Sequence, residues 1–69
     1  MMQTIGERIK ILRTEKGLSQ RTMSEELDCN KNAISLWETN RIFPSALMLV
    51  VLSDYFGVTT DWILKGGER

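Results

Sequence analysis

Four side chains on one short stretch, Lys31, Asn32, Ser35 and Leu36, are the best equipped in this sequence to recognise another molecule. They offer an ammonium, a carboxamide, a hydroxyl and a branched apolar tip, groups that read a surface rather than break bonds. A carboxamide pairs with the N6 and N7 edge of adenine, and an ammonium reaches guanine or a phosphate. Leu36 can pack on a thymine methyl or simply shield neighbouring core, and Ser35 is short enough to reach only phosphate or water. Bond-breaking chemistry has little to work with. There is no histidine, and the single cysteine, Cys29, can form neither a disulfide framework nor a zinc site. Serines and carboxylates occur, but nothing pairs a nucleophile with a base. Neither an enzyme nor a cofactor or metal is expected.

Those four residues need a helix to present them. From Ser19 to Glu38 the sequence reads as two short helices separated by a sharp turn. Ser19 can cap the first, in which Met23 and Leu27 lie four apart on one face, and Asp28 ends it. Asp28 tolerates the positive φ such a turn needs better than most residues, though less well than glycine. Asn30 can cap the second, in which Ile34 and Trp37 form an inward i, i+3 pair. Lys31, Asn32, Ser35 and Leu36 then line the opposite side as one exposed strip. A short helix held against another, with polar residues near its N-terminus, is the geometry that enters a DNA major groove. Residues 19–38 therefore read as a helix-turn-helix.

The remaining elements follow from caps and periodicity. Thr4 and Glu7 form a capping box, Ile5, Ile9 and Leu12 mark the inward face, and Gly17 closes the helix. Arg8, Lys10, Arg13 and Lys16 are expected on its outside, and Ile11 falls off the main apolar face. Leu18 anchors the entry to the Ser19 helix. Thr39 to Pro44 is a loop by composition. Pro44-Ser45 starts a fourth helix through about Phe56, stopped by Gly57, with Ala46, Leu49, Leu52, Ser53 and Phe56 inward. Thr59 caps a fifth that ends by Gly66-Gly67, leaving the last two residues frayed. Trp37 and Trp62 fall on apolar faces and are expected in the core.

Sixty-nine residues suffice for one domain, 1–69, with one small all-α core. Nine basic and nine acidic side chains balance, which argues against coating nucleic acid by charge alone but not against specific binding. The N-terminal stretch has no apolar core of signal-peptide type, and the longest apolar run, Ala46 to Leu52, is far short of the roughly 20 residues that span a bilayer. A cytoplasmic protein without a membrane partner is expected. Cys29 reads as a small buried apolar side chain in the turn rather than a reactive thiol.

Ile5-Gly6-Glu7-Arg8-Ile9-Lys10, Lys16-Gly17-Leu18-Ser19-Gln20, Ala33-Ile34-Ser35-Leu36-Trp37-Glu38, Pro44-Ser45, Asp54-Tyr55-Phe56-Gly57-Val58 and Asp61-Trp62-Ile63-Leu64 together resemble the Cro and phage-repressor type of helix-turn-helix, often called XRE-like. The resemblance covers nearly the whole chain in order and spacing. It implies a compact five-helix, lambda-repressor-like domain of bacterial and phage transcriptional regulators that usually act as dimers. It implies base contacts from Lys31, Asn32, Ser35 and Leu36, and phosphate contacts from Gln20, Asn40 and Arg41. Gln20 would also sit beside the free amides of a helix N-terminus. It further implies a salt bridge from Arg13 to Glu38, joining the first helix to the recognition helix. This chain departs from the pattern with Asp28 where glycine is usual, Ser24 where alanine is usual, and Leu36 where a polar side chain is commoner. Leu47, Met48 and Val51 likewise replace commonly polar residues.

Those three apolar residues of the fourth helix fall where solvent is expected, which makes them a candidate dimer interface. The expected function is a sequence-specific double-stranded DNA-binding regulator, a repressor by occupancy, acting as a homodimer on a palindromic operator. RNA polymerase or an antagonist protein are further partners to consider. Two alternatives share the fold: a protein-interaction module that does not read DNA, and a DNA-binding antitoxin or restriction controller.

Overall fold

In a computed structural model, residues 3–69 are described; Met1 and Met2, which open the N-terminal stretch, lie outside them. Five helices follow one another: α1 Ile5–Glu15, α2 Gln20–Leu27, α3 Lys31–Glu38, α4 Ala46–Phe56 and α5 Thr60–Lys65. No strand occurs among the described residues, and no helix is long and apolar enough to cross a membrane. Each helix begins on a side chain that accepts a first-turn amide: Thr4, Ser19, Asn30, Ser45 and Thr59. At Thr4 the box is complete, with the Glu7 N–H donating to Oγ1 and the Thr4 N–H donating to Glu7 Oε1, at 3.1 and 3.0 Å. The Thr4 bonds hold the Glu7 carboxyl below its ordinary pKa.

The helices close because their apolar faces meet. Ile9, Leu12, Met23, Ile34, Trp37, Leu52, Val58, Trp62 and Ile63 form one buried cluster to which every helix contributes. α1 packs on both α3 and α5, α2 packs on α3, and α4 packs on α5. The recognition stretch thus rests against the first helix, which in turn rests against the last.

Four expectations about individual residues are corrected. Arg8 is not on the outside: it is 4% exposed, and Nε and Nη2 donate to the Ile63 and Leu64 carbonyls at 2.8 Å each. Its Nη1 donates to the Gln3 carbonyl. Position 8 lies on the same helical face as Ile5 and Leu12, and the C-terminal carbonyls of α5 have no partners within their own helix. A buried guanidinium satisfies both demands. Arg69 is not frayed: it forms two bonds with the Glu15 carboxylate, at 2.7 and 2.9 Å, and its guanidinium lies 4.6 Å from the Trp62 ring centre. That pair keeps the Glu15 carboxyl below its usual range.

The other two corrections concern the rotation of α4. Ala46 is exposed, whereas Met48 is partly buried against the core. Leu47 is 74% exposed and Val50, unremarked in the sequence, is 51% exposed, with Val51 half-buried beside them. Ile11, off the main apolar face, is half-buried and lines an open groove along α1 with Gln3, Glu7, Lys10 and Thr14.

Candidate nucleic-acid interface

The turn between α2 and α3 is tight because two small residues permit it. Ser24 is buried, its hydroxyl donating to the Arg21 carbonyl at 2.7 Å, so α3 can approach closely. Asp28 takes the left-handed conformation at φ 53, and the Cys29 N–H then donates back to the Ser24 carbonyl at 2.9 Å. Burial, with the Asp28 carboxylate adding to it, pushes the Cys29 thiol pKa up, so the cysteine is a packing group and a poor nucleophile. Asn30 follows as cap, Oδ1 accepting from the Asn32 N–H at 2.7 Å.

α3 therefore starts abruptly, and Lys31 and Asn32 stand exposed on its first turn. The expected strip is not uniform. Ser35 and Leu36 are half-buried, because the chain after α3 folds back: Arg41 and Ile42 donate N–H groups to the Leu36 carbonyl at 2.9 and 3.3 Å, and Thr39 Oγ1 donates to the Ser35 carbonyl at 2.8 Å. The N-terminal half of α3 is thus the accessible half.

The orientation of α3 is set by a charged network beneath it. Arg13 Nε and Nη2 donate to the two carboxylate oxygens of Glu38 at 2.6 and 3.0 Å, a fork-to-fork pair. Arg13 Nη1 donates to the Leu18 carbonyl at 2.8 Å, which draws in the entry to α2. The Arg13 and Glu38 side chains are only 12% and 4% exposed. Gln20, expected at a phosphate, donates Nε2 to Glu38 Oε1 at 3.1 Å, so one of its two amide hydrogens is committed to the network. Asn40, also expected at a phosphate, is bonded to α1: its Oδ1 accepts from the Gly6 N–H and its Nδ2 donates to Thr4 Oγ1, both at 2.9 Å. Asn40 and Arg41 are both exposed.

The cations are therefore unequally available. Arg8 and Arg13 are spent inside the fold, Arg69 is paired with Glu15 on the surface, and Lys16 lies 4.1 Å from the centre of the Tyr55 ring, whose hydroxyl donates to Glu26. Lys31, at the start of α3, and Arg41, just beyond its end, are both exposed. Gly6 lies at the seam of α1 and α3, where its N–H meets Asn40 and a Cβ would strike the Trp37 and Glu38 carbonyls. A glycine inside a helix costs about 1 kcal/mol relative to alanine, which is a signal that backbone approaches there.

A family described as helix-turn-helix domain matches residues 6–68. The chain is 39% identical over 63 residues to the HTH-type transcriptional activator BcrR of Enterococcus faecalis, covering 91% of this chain and 31% of that protein. It is 39% identical over 61 residues to the SPbeta prophage-derived uncharacterized HTH-type transcriptional regulator YonR of Bacillus subtilis (strain 168), covering 88% and 56%. With the repressor protein CI of Enterobacteria phage phi80 it shares 35% identity over 65 residues, 94% of this chain and 27% of that one. The chain thus spans between about a quarter and a little over half the length of these relatives. Its fold is similar to the P22 c2 repressor protein, solved in complex with synthetic operator 9T, at a TM-score of 0.88 and 31% identity, covering 94% of this chain and 98% of that one.

Proposed function

The chain belongs to the helix-turn-helix family of DNA-binding transcription regulators, and on that premise we propose that it binds a specific double-stranded DNA sequence, α3 entering the major groove, as a homodimer on a palindromic operator. The observation that carries this reading is the mounting of α3: a short helix fixed from below by Arg13, with Lys31 and Asn32 projecting from its exposed first turn. Asn32 reads a base, Lys31 a base or phosphate, and Ser35 and Leu36 serve the flank of the contact. Arg41 fixes register on the phosphates. Repression by occupancy of a promoter is the simplest outcome, with RNA polymerase the machine excluded or contacted.

Asn32→Ala is expected to cost about 1–3 kcal/mol on the preferred duplex and to relax preference at one base position per half-site. Arg41→Ala should weaken binding to all duplexes alike and reduce the salt slope by about 1. Titrations on a duplex selected from random DNA and on a scrambled one, at several salt concentrations, separate the two effects. Equal loss on both duplexes for Asn32→Ala would remove it from the base readers.

With few phosphate-facing cations, one α3 holds DNA weakly, and a two-fold pair about 34 Å apart multiplies the half-sites. The exposed face of α4 supports pairing, through Leu47, Val50 and Val51, with Met48 partly buried against the core. Leu47→Glu with Val50→Glu should give a folded monomer whose operator affinity falls by at least about a hundredfold, the loss of avidity. Sedimentation of parent and variant decides the matter, and a parent that stays monomeric at high micromolar concentration counts against this face.

A further inference from the structure

The seam between the start of α1 and the end of α3 is built around Asn40. The residue takes the left-handed conformation at φ 61, which glycine would adopt without strain. What asparagine adds is its carboxamide, and both ends of it go to α1. The Gly6 N–H that it accepts is a first-turn amide, one of those with no partner inside its own helix. Thr4 Oγ1, which accepts its Nδ2, also accepts the Glu7 N–H, so the cap of α1 and the exit of α3 share one hydroxyl. The backbones are nearly in contact here. A Cβ on Gly6 would fall 2.3 Å from the Trp37 carbonyl oxygen and 2.7 Å from that of Glu38. The partly positive end of α1 thus abuts the partly negative end of α3.

Arg13 grips α3 at Glu38, two turns further along α1, so the Asn40 carboxamide gives the seam a second polar anchor at its other end. The geometry points to Asn40 as a positioning residue: its carboxamide fixes the rotation of α3 against α1, and with it the aim of Lys31 and Asn32. This rests on α3 being the base-reading helix. Asn40 then governs discrimination between sequences without touching DNA.

The test compares Asn40→Gly, which keeps the backbone conformation and deletes both bonds, with Asn40→Asp. In the aspartate variant the carboxylate accepts from the Gly6 N–H, and the Thr4 hydroxyl turns to donate to it, so both links return. Each protein is titrated on the duplex selected from random DNA by the parent chain, on its single-base variants, and on a scrambled duplex; Gly6 amide exchange is followed without DNA. For Asn40→Gly the expected result is a folded protein with faster Gly6 exchange and discrimination reduced about tenfold. Its affinity for scrambled DNA should stay within roughly twofold of the parent's. Asn40→Asp should retain discrimination and slow Gly6 exchange, its added charge lowering affinity for all duplexes together. Asn40→Gly losing affinity equally on every duplex would make the side chain a phosphate contact and overturn the proposal. Unchanged discrimination, or loss of the fold, would overturn it too. A parent chain with no discrimination at all would overturn the base-reading premise and this proposal with it. Discrimination that survives in Asn40→Gly overturns this proposal alone.

Discussion

Glu38→Ala is expected to lower folding stability by about 3–5 kcal/mol, the range for removing one partner of a buried ion pair. The size follows from what remains behind. Arg13 would keep its bond to the Leu18 carbonyl but lose both carboxylate contacts while still largely shielded from water. Gln20 would lose its partner as well. An exposed pair, at roughly 0–1 kcal/mol, could not produce such a loss. Arg13→Ala should be comparably harmful, because it leaves the Glu38 carboxylate, the more deeply buried of the two, uncompensated. The double variant should cost clearly less than the two single losses combined, since neither charge is then stranded. Denaturant melts of the four proteins supply the cycle. Strictly additive losses would show two independent side chains that happen to lie near each other.

Gly6→Ala should cost about 1–3 kcal/mol in spite of alanine's better helix propensity. The added methyl meets backbone oxygens of Trp37 and Glu38, which no rotamer change can move aside, and the Asn40 Oδ1 at 2.8 Å. Relief requires α1 to draw away from α3, which breaks the Gly6–Asn40 bond and loosens the packing of α1 on Trp37. Thermal melts measure the loss, and the Gly6→Ala crystal structure would show the two helices separated by a few tenths of an ångström or more. A variant as stable as the parent would mean the seam yields freely, and that α3 is held chiefly through Glu38.

Much of this architecture is written in residues that act locally. A hydroxyl or carboxamide stands before every helix, from Thr4 to Thr59, and these side chains cap wherever the chain can turn helical. Asp28 announced its turn because few non-glycine residues accept positive φ. Local signals fail where a residue's partner is distant or its helix has no polar stripe. Arg8 looked like surface because charge outweighs periodicity on inspection, and its acceptors lie 55 and 56 residues away. The rotation of α4 is not legible because Ala46 to Leu52 is apolar throughout, so no amphipathic phase marks which side faces out. At Asn40 nothing local announces the bonds to Thr4 and Gly6, which lie 36 and 34 residues away.

Arg8 also imposes an order on synthesis. A growing chain completes α1, α2 and α3 well before the Ile63 and Leu64 carbonyls have emerged, so the guanidinium waits without acceptors in a cleft that α5 has yet to fill. Until then α1 lacks one of the two helices it packs against, and the support beneath α3 is only half built. α3 is thus translated before the helix that completes the support of α1. A nascent fragment ending after α3 would already carry Lys31 and Asn32 yet still present an open apolar face, a substrate for chaperones and proteases.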